Sequence, residues 1–314
     1  GFPSPFTMNG EGLGVGHLSN IFRKVENIMT APGSYQISEF SRDIDKELER
    51  LRVQTVLGWQ KESRALTWFG LQDGMSVLEL GSGPGYVTEE LLRLLPGSVI
   101  TCLEIDPLMI SIAEKHLQDK RADRVRLVPG SIMEIPLPDN YYDFALARFL
   151  YQHLPDPVGA AREVLRVLKP GGKLAIHDVD GGMGGVTEPD ASPESMEIYK
   201  RASELQEKKG GNQKIGRRLI RILREAGFEN IDLDIMVIHS DLAGMTDMAK
   251  LWDADHLWPA LKAGIISEDD YKLVQTELES FYASPESINA YTLLFACGQK
   301  PHPAPDHPAN SSPF

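Results

Sequence analysis

Cysteine is scarce in this 314-residue chain, which has only Cys102 and Cys297. They lie far apart, each in an apolar run, so the chain offers no disulfide framework, no CxxC and no Cys/His cluster with metal-ligand spacing. Buried, reduced thiols are expected there, and no metal site. Basic residues are also short. The 32 Lys and Arg face 45 Asp and Glu, a formal net charge of −13, with no Lys/Arg block. Such a chain is a poor electrostatic partner for nucleic acid or an anionic membrane. No apolar run approaches the roughly 20 residues of a membrane span. No signal-peptide pattern opens the chain. We therefore expect a cytoplasmic protein, monomer or homodimer, without nucleic-acid or membrane partners. What is present, 42% hydrophobic and 25% charged residues, suits one large globular domain with a helical addition.

Residues 1–7, GFPSPFT, read as a cloning scar ahead of Met8. Residues 8–72 read as an N-terminal helical segment, with a short helix near Ile21–Met29 and a long one over 38–70. A regular alternation follows. Strands are expected at Ser76–Leu80, Ser98–Ile105, Val125–Val128, Tyr142–Ala147 and Lys173–Val179. Helices at Val87–Leu95, Leu108–Leu117 and after Asp156-Pro157 separate them. Pro170-Gly171-Gly172 stops the last of these helices. A polar stretch, 181–194, leads to helices at 195–208 and Arg217–Ala226 and a strand at Ile231–Ile238. Helical pattern then fills 242–288, and a last strand, Tyr291–Cys297, falls in segment 289–300. The tail 301–314 holds five prolines and should be disordered. Strands separated by helices predict a Rossmann-like, doubly wound, mostly parallel α/β sheet over 73–241 and 289–300. The helical block before the last strand reads as an inserted lid.

The stretch SVLELGSGPGYVTEELL, residues 76–92, is the most informative. An apolar run ends in three glycines, Gly81, Gly83 and Gly85, and a helical pattern follows. Dinucleotide binders use G-x-G-x-x-G, whose last glycine lets the helix pack close. Counted from Gly81 that place is Tyr86; counted from Gly83 it is Thr88. No Walker-type Gly-Lys-Ser/Thr is present either. Instead an acid, Glu79, precedes the turn, where it would repel a phosphate and suit an ammonium group. A second acid, Glu104, ends the next strand, where a carboxylate reaches ribose hydroxyls. A ribose, no phosphate and a cationic amino group together describe S-adenosylmethionine (SAM), whose product is S-adenosylhomocysteine.

Four segments carry a resemblance to a family. VLELGSGPG (77–85), LEIDP (103–107), NYYDFALARFLYQHLPDP (140–157) and VLKPGGKLAI (167–176), taken together, resemble class I SAM-dependent methyltransferases. Within that class the chain is similar to the ubiquinone/menaquinone-biosynthesis-like group of small-molecule and natural-product enzymes. The resemblance covers roughly residues 45–300. It implies that the backbone of Gly81, Ser82, Gly83 and Gly85 passes the methionine and ribose, with Glu79 near the amino group. Glu104 would take the ribose hydroxyls, and Ile105 and Met109 would flank the adenine. Ser131 stands where the group usually has an Asp for the adenine amino group, leaving the Ile132 N–H to serve. The Arg148 carbonyl would face the methionine ammonium. ERLRVQ (49–54) looks like a helix closing over the cofactor, with Gln54 and Tyr35 at the methionine carboxylate.

Methyl transfer is an in-line displacement at a sulfonium methyl, so orientation can supply much of the acceleration, about 7–11 kcal/mol. A base is needed only if the acceptor must lose a proton early. The candidate catalytic residues are His177 and Asp178, which end the fifth strand, and Tyr151 and His153 after the fourth. Adjacent strand residues point to opposite faces, so His177 and Asp178 should not both reach one cleft. The expected function is methyl transfer to O, N or C of a small-molecule acceptor, its pocket lined by the helical block with Trp252, His256 and Trp258. Two alternatives stand beside it: a macromolecule methyltransferase, and a SAM-binding protein that does not methylate.

Overall fold

The computed structural model describes residues 35, 41, 43–120 and 122–303. The leader 1–7, the helix expected near Ile21–Met29 and residues 304–314 of the tail lie outside the described residues. The long N-terminal helix, α1, runs Ile44–Trp68. The Asp43 side chain caps it by accepting from the Lys46 N–H. Its buried stripe, Thr55, Gly58, Glu62 and Ala65, follows helical spacing but includes a carboxylate.

The alternation continues as β1 Ser76–Leu80, α2 Tyr86–Leu94, β2 Val99–Glu104, α3 Pro107–Leu117, β3 Val125–Pro129 and β4 Tyr142–Arg148. It goes on through α4 Pro157–Val167, β5 Leu168–Val179 and β6 Gly185–Glu188. Asp106 and Asp156 cap α3 and α4, each followed by proline at the first helical position, where a missing N–H costs nothing. The second half comprises α5 Pro193–Lys208, α6 Leu219–Ala226 and β7 Glu229–His239. Four helices follow: α7 Ser240–Ala243, α8 Met245–Leu251, α9 Trp258–Lys262 and α10 Glu268–Ala283. β8, Ile288–Gln299, closes the sheet.

The strands form one sheet in the order β3-β2-β1-β4-β5-β8-β6, with β7 also paired to β8. The first five strands are mutually parallel; β8 runs antiparallel to β5, β6 and β7. This is the doubly wound, mostly parallel sheet with a mixed edge that the alternation predicts. One apolar layer joins the sheet to α4 and α6 through Ala160, Val164, Leu219 and Ile222. The other joins it to α1, α2 and α3 through Leu66, Leu91, Ala113 and Phe144. Burial of both faces explains why the centres of β1, β4 and β5, such as Phe144–Ala147 and Leu174–Ile176, are apolar.

Three local expectations differ from what is observed. β5 begins at Leu168, not Lys173, and runs through Pro170. There Leu168 pairs with Tyr142, and Gly171 and Gly172 exchange backbone hydrogen bonds with Lys300. The polar stretch 181–194 contains β6, whose exposed residues gain order by pairing with Tyr291–Ile288 of β8 rather than by burial. The helix expected from Arg217 opens as a 3₁₀ turn over Gly216–Arg218, where a side chain on Gly216 would strike Leu294 and the Val179 carbonyl at 2.9 Å.

Phe144 on β4 is 1% exposed within the layer that faces α1 to α3. Phe144→Ala is expected to cost about 3–5 kcal/mol of unfolding free energy, measured by urea denaturation.

Candidate active site

The sheet order reverses at β1: β2 and β3 lie on one side, β4 and β5 on the other. Ligands of open α/β sheets bind outside the strand C-termini at such a point. Glu79 lies one residue from the end of β1, and Glu104 and Arg148 end β2 and β4, all at the C-terminal edge of the sheet.

The turn after β1 is built on glycine. Gly81, Gly83 and Gly85 all have positive φ, at 66°, 54° and 83°. At Gly85 a side chain would also meet Leu117 at 2.9 Å, so α2 packs on α3 only without one. At Gly83 nothing lies within 4 Å of where a side chain would start, so the backbone there is open to a ligand. Beside it, the buried Ser82 hydroxyl has no hydrogen-bond partner. Glu104 holds the other wall. One carboxylate oxygen accepts from the Gly83 N–H at 2.8 Å, and the other accepts from Ile105 and Asp106 at 2.8 and 2.9 Å. Burial raises its pKa, while those three N–H groups oppose the rise. An open glycine backbone, an orphaned hydroxyl and a carboxylate with a lone-pair site to spare fit a ribose-bearing ligand.

Glu79 turns away from that opening. Its carboxylate accepts from the Thr88 hydroxyl on α2 at 2.6 Å and is 4% exposed. Burial pushes it up to about 7, against the pull of Thr88 and Arg148. Met109 and Ile132 are buried, Ile105 is more exposed, and the Ser131 hydroxyl accepts from the Met133 N–H at 3.1 Å. Tyr35 donates to Glu47 at 2.9 Å, and its ring lies 5.4 Å from that of His153. Arg50 also grips Glu47, at 2.7 and 2.8 Å. Gln54 meets the site through its backbone, where its carbonyl accepts from Arg148 Nη2 at 2.8 Å.

Of the four catalytic candidates, three lie wholly inside. His177, Asp178 and Tyr151 have zero exposure. His177 faces α1: its Nδ1 lies 3.1 Å from Glu62, out of hydrogen-bond alignment, and Nε2 has no partner. Asp178 faces the opposite side, as alternation requires, and accepts from the Gln152 N–H at 3.1 Å. Burial pushes it up to about 7. Burial, then the nearby Asp178 charge, raises Tyr151, whose hydroxyl has no partner. Burial, then the Arg50 charge, pulls His153 down to about 3, so it is uncharged at neutral pH.

Sequence reasoning missed Glu62. It is fully buried, and both its oxygens lie 3.0 Å from Arg148 Nε. Burial would raise its pKa, but Arg148 and His177 outweigh that and hold it at about 2. An acid within a stripe of Thr, Gly and Ala at helical spacing was the available signal. Phe149, with φ +52°, was also missed; positive φ in a bulky residue leaves no trace in sequence.

A second space, a cavity of about 1300 Å³, lies between the β5–β8 edge and helices α5 and α10. Val179, Tyr199, Trp252, Phe281, Tyr282 and Tyr291 are among its walls. Phe149, at the end of β4, packs in the same apolar cluster as Val179, Tyr282 and Tyr291. His256 stacks on Tyr199 at 5.4 Å, but neither it nor Trp258 is among the cavity walls.

Comparison with known proteins agrees with this geometry. The family model of the methyltransferase domain matches residues 78–176. The uncharacterized methyltransferase YdaC of Bacillus subtilis is 30% identical over 190 residues, 60% of this chain and 88% of that protein. The chain belongs to the SAM-dependent methyltransferase family. The demethylmenaquinone methyltransferase of Listeria welshimeri is 32% identical over 124 residues, 38% of this chain but only 50% of that enzyme. Among solved structures, the phosphoethanolamine N-methyltransferase 2 of Haemonchus contortus, bound to phosphomonomethylethanolamine and S-adenosylhomocysteine, superposes with a TM-score of 0.52. It is 19% identical and covers 78% of this chain and 54% of that one. YcgJ of Bacillus subtilis gives 0.51 at 17% identity, covering 77% and 98%. At these identities the structures speak for the fold alone. Among the described residues of this methyltransferase, no helix is long and apolar enough to cross a membrane, and no group of three His, Cys, Asp or Glu is placed to hold a metal.

The buried acids give the methyltransferase a pH signature. Glu79 titrates near 7 folded, well above its ordinary 4.5. The unfolded chain therefore releases that proton first, and stability falls as pH rises from about 4.5 to about 7, then levels. Asp178 acts in the same direction, so only part of the fall belongs to Glu79. Glu62 acts elsewhere, its stabilisation being lost only as pH drops toward about 2. Glu79→Gln should gain about 2 kcal/mol relative to wild type on going from about pH 5 to about pH 8, measured by urea unfolding at both.

Proposed function

We propose that this methyltransferase holds SAM in the crevice at the ends of β1, β2 and β4 and methylates a flat, largely apolar small molecule in the neighbouring cavity. The observation that carries the reading is the apolar cluster beyond the end of β4. Phe149, the residue after β4, packs against the same cluster as Val179, Tyr282 and Tyr291, which line the cavity. On this reading donor and acceptor meet across that cluster.

When bound, the cofactor supplies a methyl on a positively charged sulfur, open to in-line attack. The chain's task is placement. Gly81–Gly85 presents bare backbone, with the Ser82 hydroxyl beside it free to hydrogen-bond. The Glu104 carboxylate, already oriented by three N–H groups, offers its remaining lone-pair site to a ribose hydroxyl. Ile105, Met109 and Ile132 supply apolar surface for a base, with the Ser131 hydroxyl engaged locally by Met133. On this reading Tyr35 and Gln54 would reach the methionine carboxylate, and the Arg148 carbonyl would take the ammonium group. The aromatic walls of the cavity stack a planar acceptor and exclude water.

With His177, Asp178 and Tyr151 enclosed, acceleration rests on orientation rather than on a general base among them. The menaquinone-pathway name of the Listeria relative and the acidic charge of this chain both favour a small molecule over nucleic acid.

Titration calorimetry with SAM, followed by transfer of labelled methyl into a fractionated metabolite extract, tests the reading. Binding with label in a low-mass fraction is expected; binding with no transfer to any fraction would overturn it. Glu104→Ala should weaken SAM binding at least tenfold, from the loss of one or two charge-assisted hydrogen bonds of about 1.5–3 kcal/mol each. Trp252→Ala should leave SAM affinity intact and raise the KM of the acceptor by about 2 kcal/mol, near 30-fold, as expected for an aromatic anchor. Steady-state kinetics on the identified acceptor would measure it.

A further inference from the structure

We propose that Glu62 is a positioning residue: through Arg148 it holds Phe149 and the peptide before it in the shape that the cofactor crevice requires. The inference rests on the reading of the β4 end as the cofactor site.

The cluster is an unusual one to build for stability alone. Glu62 sits on the buried face of the C-terminal part of α1 at zero exposure. Both oxygens take Arg148 Nε at 3.0 Å. The same guanidinium donates from Nη2 to the carbonyl of Gln54, two turns earlier on α1, at 2.8 Å. Between those two contacts stands Gly58. The guanidinium lies against it, Arg148 Nη2 being 3.5 Å from where a side chain there would start. Arg148 is thus stapled at two points along one helix. A well-packed apolar pair often replaces a buried ion pair without loss of stability. A carboxylate and a guanidinium here therefore call for another reason.

Phe149 provides it. Its φ of +52° is left-handed, a conformation disfavoured for a bulky side chain that persists only when the surroundings impose it. Three contacts impose it. The Phe149 N–H donates to the His177 carbonyl at 2.8 Å. The Arg148 guanidinium carbon lies 4.8 Å from the Phe149 ring centre. The His177 ring lies 5.1 Å from the same ring, and Phe295 backs His177 at 4.9 Å. Glu62 touches both Arg148 and His177, so one carboxylate braces both partners of Phe149. Without that charge the guanidinium loses its anchor and Phe149 relaxes to negative φ. The relaxation swings the peptide between Arg148 and Phe149, whose carbonyl belongs to Arg148. The crevice then loses its shape although no residue touching the cofactor has changed. His177, on this account, is part of the brace and not the base.

The experiment compares wild type, Glu62→Gln and the double variant Glu62→Leu/Arg148→Met by calorimetry with SAM, thermal melting and steady-state kinetics. Glu62→Gln should weaken SAM binding about tenfold while leaving the KM of the acceptor unchanged. Because that variant strands a buried guanidinium, it is also expected to melt lower. The double variant removes both charges and separates the two effects: it should melt near wild type yet stay about tenfold weak for SAM. A double variant that melts like wild type and binds SAM as tightly would overturn the proposal, leaving Glu62 a purely structural ion pair. A cycle with Phe149→Gly gives an independent readout, since glycine takes positive φ freely. In that background Glu62→Gln should lose most of its effect on SAM affinity, and an undiminished effect would overturn the route through Phe149. Wild-type protein that binds no SAM would sink the function proposed above; wild-type binding with unchanged variants would sink only the brace.

Discussion

The architecture turns on one carboxylate that ties two strands together. Glu104 ends β2, yet its side chain takes an N–H from Gly83 in the turn after β1 and two more from the start of the segment leading to α3. The left-handed glycines make this possible, because only they let the turn come so close. The glycine loop and the acid are therefore one device. The loop keeps its open backbone because the acid fixes it. The acid, although buried, is held facing a ligand because the loop amides bond it.

That device was visible in the sequence, and for a physical reason. A strand that must be buried on both faces reads as a mostly apolar run, and the sharp turn after it requires glycine, so β1, its loop and Glu104 could be placed at their correct spacing. The parallel sheet, the start of α4 at Asp156-Pro157, and the helical block before β8 were legible for similar local reasons. β6 was not, because its residues are exposed and its order comes from pairing with a strand a hundred residues later. Glu62 escaped notice because its importance lies in Arg148 and His177, which are distant in the chain and meet it only once α1 lies on the sheet. Phe149 escaped because backbone strain has no signature in residue type.

The helical insertion has its own economy of contacts. Its core, from Ala254, Leu257, Ala260, Tyr271 and Val274, is completed by Ile198 of α5, which lies before β7 in the chain. Glu277 on α10 accepts from the backbone and hydroxyl of Ser192 and from the hydroxyl of Ser195, at 2.6–2.7 Å. α5 and α10 thus form one body across the cavity, although some seventy residues separate them. The cavity is roofed by this pair and floored by the sheet edge, an arrangement that lets its walls vary without disturbing the glycine loop.

Helix α1 touches both halves of this machinery. Near its start, Lys46 pairs with Asp253 at 2.8 Å and also with Asp255, and Glu49 meets Lys250 at 3.3 Å, all on the insertion. Four turns on, Glu62 reaches the sheet. If the two spaces hold the donor and acceptor proposed above, a single rod leaning on both would make their occupancies interdependent: a ligand that displaced it on one side would alter the work of filling the other. Thermodynamics requires that debt to be mutual, so the factor by which donor favours acceptor must equal the factor by which acceptor favours donor.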